Sequence, residues 1–570
     1  MSIFPLIYGR FINVIDVIDV IYLLVEGAKE GGSPPISSRY HNHTEIHISF
    51  DNTWAADIPV ENASYIQTHS GHRKARARDS CVLIVSGWKV SQRHFLTTSI
   101  PIPIVALLPF SLSSLDRAFF SNEVMDYTGS SRDAQHLCVL VHGLWGNPVH
   151  LETVAKSLRA KHSEDALHIL VAKRNSGSFT YDGIELGGER VTAEIEEEVE
   201  KLAREGQVIT RFSIVGYSLG GLVARYSVGL LDSKGFFDKI KPVNITTFAS
   251  PHLGVRTPLK GSLNHIWNVL GARTLSTSGR QLFTIDKFRD TGRPLLEILA
   301  DPESIFLKGL AKFERRTLYS NIVNDRSAVY YTTGIASTDP FSNPDKVKIN
   351  YVEGYEDVVL DRHNPVSPLD KSSLHANTSF MASTKKTLGN LPLFVALVVF
   401  IPFGVVAFLL NSAVQTVRSS KRIRLHEQGL AGIQPKDYRF PLLINSMRET
   451  VEDVYENLNA TQDNEYLNTP SDSDSEEASA SSPLIRERTK SFHSEIADPE
   501  KSGEIAPTLA LAPYQFKMIE ALDKVGWRKY PVFIHKVRHS HAAIIVRVDK
   551  PSFDEGRIVL KHWLDEEFIL

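Results

Sequence analysis

Ser218 stands in Gly216-Tyr217-Ser218-Leu219-Gly220, between an apolar run, Phe212-Ser213-Ile214-Val215, and a helix-like stretch from Gly221 to Val228. A serine hydroxyl is a weak nucleophile until a base takes its proton. A tight strand-to-helix turn exposes such a hydroxyl, and small residues must flank it there. Glycines two before and two after the serine remove the Cβ atoms that would collide. The helix that follows offers free N–H groups and partial positive charge to an oxyanion. A chain with 34 glycines can produce this pentapeptide by chance. The strand before it and the helix after it favour the reading as a nucleophile.

A second motif lies upstream. His136-Leu137-Cys138-Val139-Leu140-Val141 has no alternation and reads as a strand buried on both faces. It runs into His142-Gly143-Leu144-Trp145-Gly146. In α/β-hydrolases the loop after an early strand gives one oxyanion N–H, and the residue after the nucleophile gives the other. That logic selects the amides of Leu144 and Leu219. Gly143, Gly216 and Gly220 let the backbone pass close, and His142 is expected to line the pocket.

The same architecture orders its triad as Ser, Asp or Glu, His. Arg316–Val323 is strand-like, and Asn324-Asp325-Arg326 follows it, so Asp325 is the expected acid. An aspartate that only forms a turn is the competing reading, and Asp339, Asp357 and Asp361 are weaker candidates. There are 21 histidines. His252, in Ser250-Pro251-His252-Leu253-Gly254, precedes Asp325 and is expected to line the pocket instead. His541, in Val537-Arg538-His539-Ser540-His541, adjoins the apolar segment Ala542–Val546 and is preferred as base over His539 or His535. His562 is a more distant option. This constellation implies acyl transfer to water with no cofactor, and no metal-binding constellation is visible.

Three stretches resemble the putative serine esterase family of fungal and other eukaryotic lipases: Val141–Gly146, Gly187-Gly188-Glu189-Arg190 and Val215–Gly221. Within that family the chain is most similar to the fungal lipid droplet phospholipases, through Ser320–Arg326, Ser540–Arg547 and His562–Phe568. The likeness covers roughly residues 133–440 and 510–570. It implies the catalytic roles of Ser218, Asp325 and His541. It also implies a glycerophospholipid substrate, with triacylglycerol or another lipid ester as the main rival. An acyltransferase or thioesterase with the same triad, or a non-catalytic droplet scaffold, are the other classes.

The elements that must position these groups amount to one α/β-hydrolase domain. It has a mostly parallel central sheet, a helical cap over 255–315 and an inserted hydrophobic membrane element. The expected boundaries are a non-family arm at 1–130, partly disordered; the core with cap at 131–385; a membrane-associating segment with its basic flank at 386–425; a connector at 426–449; a disordered acidic, serine-rich insert at 450–505; and the end of the core at 506–570. A formal charge of −3 gives no electrostatic case for nucleic acid. Two cysteines, Cys81 and Cys138, argue against a disulfide framework and for a reducing compartment. Phe4–Val25 is interrupted by Arg10, Asp16 and Asp19 and makes a poor secretory signal. Residues 27–80 read as a flexible arm. Ile100–Phe110 carries three prolines and reads as an irregular strand or interfacial contact.

Leu391–Leu410 holds twenty residues without a charge, which by length suits a transmembrane helix. A single complete span would put the histidine across the membrane from Ser218 and Asp325. The expectation is therefore a hairpin broken at Pro402 and Gly404, with Arg418, Lys421, Arg422 and Arg424 meeting anionic headgroups. A buried cap helix is the competing reading, and a true span with a different histidine is the third. The expected location is a lipid droplet or endoplasmic reticulum surface, with the catalytic domain facing the cytosol.

Overall fold

The computed structural model describes residues 127–256, 258, 268, 271–342, 344, 347–368, 391–440 and 508–570; from 391 to 403 it describes the backbone. The expectations for Phe4–Val25, 27–80, Cys81, Ile100–Phe110 and the acidic insert lie outside these residues. Strand β1 (His136–Val141) is buried at every position. Such a strand must be central in a sheet covered on both faces. It pairs in parallel with β2 (Leu167–Val171) on one side and β3 (Arg211–Tyr217) on the other. With β4 (Lys241–Phe248), β5 (Arg315–Asn321) and, after a two-stranded ribbon of β6 (Val347–Ile349) and β7 (Val366–Pro368), β8 (Arg528–Val532), the order across the sheet is β2-β1-β3-β4-β5-β8. All its pairings are parallel. This is a doubly wound α/β-hydrolase core.

Alternate residues of each strand enter opposite layers. Leu137, Val139 and Val141 join Ile214, Ile245 and Leu318 in one core, with α2 (Ile184–Arg204) and α3 (Leu219–Ser233) over it. Cys138 and Leu140 join Val215, Phe248 and Tyr530 in the other, under α1 (Glu152–Lys161) and α9 (Asp554–His562). Between β4 and β5 come α4 (Ser276–Leu282), α5 (Leu295–Ala300) and α6 (Ile305–Ala311). The last of these belongs to the layer over the sheet rather than to a cap, since the Phe306 ring lies 4.6 Å from that of Tyr226 on α3.

The chain leaves this core after β7 and returns through α7 (Leu391–Glu427) and α8 (Pro513–Lys524) to β8. The expected hairpin is not formed. Helix α7 runs unbroken for 37 residues, through Pro402 and Gly404. An interior proline removes one backbone bond and kinks a helix, but it does not reverse a chain whose next turns are templated by a partner. That partner is the hydrolase core. The Ser412 hydroxyl donates to Thr274 O, Ser419 to Tyr181 O, Arg422 is paired with Asp182 and His426 with Glu189. Arg422 is therefore committed to the protein and not free for headgroups, whereas Lys421 and Arg424 are exposed. Among the described residues no helix is long and apolar enough to cross a membrane.

Candidate active site

All the groups singled out above as catalytic sit at the carboxyl ends of parallel strands, where open α/β sheets gather ligands. Ser218 follows β3 with φ 54° and ψ −128°, a conformation that a non-glycine residue holds only when its surroundings compel it. They do: a side chain at Gly216 would strike Gly221, and one at Gly220 would strike the Val141 carbonyl. Asp325 follows β5, directly after Asn324 in the left-handed region (φ 62°). His541 follows β8 on the single turn Ser540–Ala543.

These residues, 216 and 323 positions apart along the chain, meet. His541 Nε2 lies 2.9 Å from Ser218 Oγ, and its Nδ1 lies 2.8 Å from Asp325 Oδ2. With the ring proton on Nδ1, that nitrogen donates to the carboxylate and Nε2 accepts from the serine hydroxyl. The Asp325 side chain is 1 % exposed, so it has little water to satisfy it. Oδ2 also accepts from Asn321 Nδ2 at 2.9 Å, and Oδ1 accepts from the amides of Ser327 and Ala328 at 3.1 and 2.8 Å. Those donors hold the carboxylate in place. Asp339, His539 and His562 take no part in this chain of bonds. His562 bonds Tyr319 OH at 2.7 Å instead.

The loop after β1 closes against the nucleophile. A Cβ at Gly143 would stand 3.3 Å from Ser218 Oγ, so the backbone itself borders the reacting atom. The Gly146 amide bonds Gly143 O at 3.0 Å and the Trp145 amide bonds Thr180 Oγ1 at 2.9 Å. The amides of Leu144 and Leu219 donate to no acceptor among the described residues. Two idle N–H groups next to a serine hydroxyl can receive the oxygen of an acyl group as it gains charge.

His142 and His252 are buried, at 2 % and 0 % exposure, rather than lining open space. His142 lies between Gly143 O and Ser176 Oγ, and burial pushes its pKa down to about 4. His252 takes hydrogen bonds with Arg225 at 3.2 Å and Thr247 at 3.0 Å. Burial, with Arg225 beside it, holds it well below the usual histidine range. Both are structural in this arrangement. The sequence reading overlooked Tyr217, whose OH donates to His541 O at 2.9 Å, and Ser540, whose Oγ donates to Val323 O at 2.9 Å. Together they tie the histidine loop to the nucleophile and acid loops. Their positions within recognised motifs were the only available signal. Among the described residues no cluster of His, Cys, Asp or Glu could hold a metal ion.

The strand order and this relay define a protein of the α/β-hydrolase type with a serine-centred site. Residues 131–339 match the family described as "Putative serine esterase (DUF676)". It is similar to "Putative lipase ROG1" of Saccharomyces cerevisiae, with 30 % identity over 210 residues, 36 % of this chain and 29 % of that protein. It is also similar to "Putative lipase YDL109C" of the same yeast, with 27 % identity over 249 residues, 40 % of this chain and 37 % of that protein. The match thus spans about a third of the length of these curated relatives. A solved lipase-esterase related protein from Clostridium acetobutylicum aligns at 12 % identity over 36 % of this chain and 82 % of its own, with a TM-score of 0.22.

Proposed function

We propose that the protein is a serine esterase that hydrolyses carboxylic esters of lipids, foremost glycerophospholipids, at a lipid surface. The observation that carries this reading is the hydrogen-bonded relay from Ser218 through His541 to Asp325 beside the unused amides of Leu144 and Leu219. Ser218 Oγ attacks the ester carbonyl while His541 Nε2 takes its proton, and Asp325 stabilises the imidazolium. The oxyanion is held by the two amides. His541 then gives the proton to the departing alcohol, and water repeats the sequence on the acyl-enzyme.

A lipid substrate is supported by the likeness to yeast putative lipases and by helix α7. Its polar face, Ser412, Ser419, Arg422 and His426, turns toward the protein. Val405, Val406, Leu410 and Val417 are 45 %, 56 %, 64 % and 71 % exposed. A helix of a water-soluble domain has the opposite polarity. Each such side chain fully transferred out of water contributes roughly 1.5–3 kcal/mol, and Lys421 and Arg424 add about 1 kcal/mol each near anionic lipid. We take the surface to be that of a lipid droplet or the endoplasmic reticulum, with the hydrolase core on the cytosolic side. The helix lies on that surface rather than spanning it.

The test is lipid-product analysis of purified protein on mixed phospholipid and triacylglycerol emulsions, beside Ser218→Ala. Release of fatty acid and lysophospholipid by the wild type, absent from Ser218→Ala, is expected. Equal release by both would overturn the assignment.

A further inference from the structure

The stretch Gly187-Gly188-Glu189-Arg190 has no part in the relay, yet its two charged residues are buried. They face helix α7. The Asp182 carboxylate, with no exposed side-chain surface, lies between two guanidinium groups. Arg190 donates to its Oδ2 at 2.7 Å, and Arg422 of α7 donates to both oxygens, at 2.7 and 2.8 Å. Arg422 also donates to Ser178 O at 2.8 Å, and both guanidinium groups lie 5.0 Å from the Phe179 ring centre. Arg422 thus grips the helical turn Gly177–Asp182 at two points.

That turn is what holds the loop carrying the Leu144 amide. The Trp145 amide donates to Thr180 Oγ1 at 2.9 Å, the Gly177 amide donates to Gly146 O at 2.7 Å, and His142 Nε2 bonds Ser176 Oγ at 3.2 Å. Trp145 is itself in the left-handed region, with φ 53°, a conformation that needs outside support. We propose that Arg422 is a positioning residue of the esterase site: by clamping Asp182 and Ser178 it holds the 177–182 turn, which sets the Leu144 amide against the oxyanion. The inference rests on the esterase reading above. It makes the orientation of the oxyanion loop depend on the seating of α7, the same helix that turns its apolar face outward. Removing Arg422 leaves Asp182 still paired with Arg190, so the fold does not lose its only counter-charge there.

The experiment compares wild type, Arg422→Gln, Arg422→Lys, Thr180→Val, the Arg422→Gln/Thr180→Val double variant and Glu427→Gln, which removes an exposed charge from the same helix. The first readout is amide hydrogen exchange, which does not require the protein to be an esterase. Faster exchange at Trp145 and Gly177 in Arg422→Gln is expected, with β1 amides unchanged. The second is steady-state hydrolysis of a monomeric short-chain nitrophenyl ester. In Arg422→Gln, kcat is expected to fall about tenfold with KM within about twofold, a loss confined to the transition state. Arg422→Lys should recover part of it, because a lysine keeps the charge but not the fork. Glu427→Gln should match wild type. The double variant should be no worse than the more damaged single, because both act on one loop.

Unchanged exchange at Trp145 and Gly177 in Arg422→Gln overturns the inference whatever the activity. So does faster exchange with kcat equal to that of Glu427→Gln, or additive losses in the double variant. If Arg422→Gln does not fold, Arg422→Lys and Thr180→Val carry both readouts, and wild-type exchange and kcat in both overturn it. Activity retained in Ser218→Ala defeats the esterase reading, and with it the kinetic half of the inference.

Discussion

Gly143→Ala probes the closeness of the oxyanion loop to the nucleophile with one carbon atom. The added Cβ would stand 2.8 Å from Ser218 Cβ, 3.1 Å from Tyr217 O and 3.3 Å from Ser218 Oγ. Carbon atoms rest at about 3.5 Å or beyond, so the loop must retreat from Ser218 by roughly 0.7 Å. Gly143 is not in the left-handed region, so the effect is steric and not a backbone penalty. A shift of this size at a reacting centre costs on the order of 10²-fold in rate. Weakening one oxyanion donor costs about the same, near 2.7 kcal/mol. We therefore expect kcat on a soluble nitrophenyl ester to fall about 10²-fold while KM changes little. The strain, about 1–3 kcal/mol for overpacking, is too small to unfold a domain with two large cores. Circular dichroism and a melting curve check that, and a fluorophosphonate probe should still label Ser218, more slowly. A kcat within about threefold of wild type, in folded protein, would refute the placement of the Leu144 amide at the oxyanion.

Three further outcomes are expected. His541→Ala should be as inactive as Ser218→Ala, with His539→Ala near wild type; an inactive His539→Ala beside an active His541→Ala would move the base by two positions. His252→Ala should act on stability instead, because it strips a hydrogen bond from the buried Arg225, at about 1–3 kcal/mol; a melting curve unchanged from wild type contradicts this. Finally, burial holds His136 at about 3 and His142 and His562 at about 4, against an ordinary value of 6.5. The unfolded chain takes up protons at these sites below about pH 6.5 and the folded protein does not. Stability is therefore full above that pH and is lost as pH falls toward 4, by on the order of 1 kcal/mol per site at pH 5.5. Thermal midpoints at pH 7.5, 6.5 and 5.5 measure the loss; a flat profile would mean these rings are not neutral and buried together.

What could be read from the chain alone was whatever a few adjacent residues decide among themselves. The turn at Ser218 needs small neighbours on both sides, so its glycines announce it. The unbroken apolar runs of β1 and β3 announce a sheet covered on both faces, because no solvated strand tolerates them. The order Ser218, Asp325, His541 follows from those local signs and from the topology they imply. Only the tertiary structure decided what depends on partners far away in sequence. His541 and His539 are alike as neighbours on one loop; what separates them is Asp325, 216 residues earlier. The stretch His562–Phe568 gave no local sign of what it packs on, yet Glu567 is buried and accepts bonds from Arg528, Tyr530 and Thr317, sealing β5 to β8. Helix α7 marks the boundary most clearly. Its apolar content and its proline and glycine suggested a hairpin, because composition records what a segment can bury but not what it docks on. The buried Asp182 and Glu189 lie more than two hundred residues before it, and a carboxylate deprived of water must find its cation wherever the fold brings one.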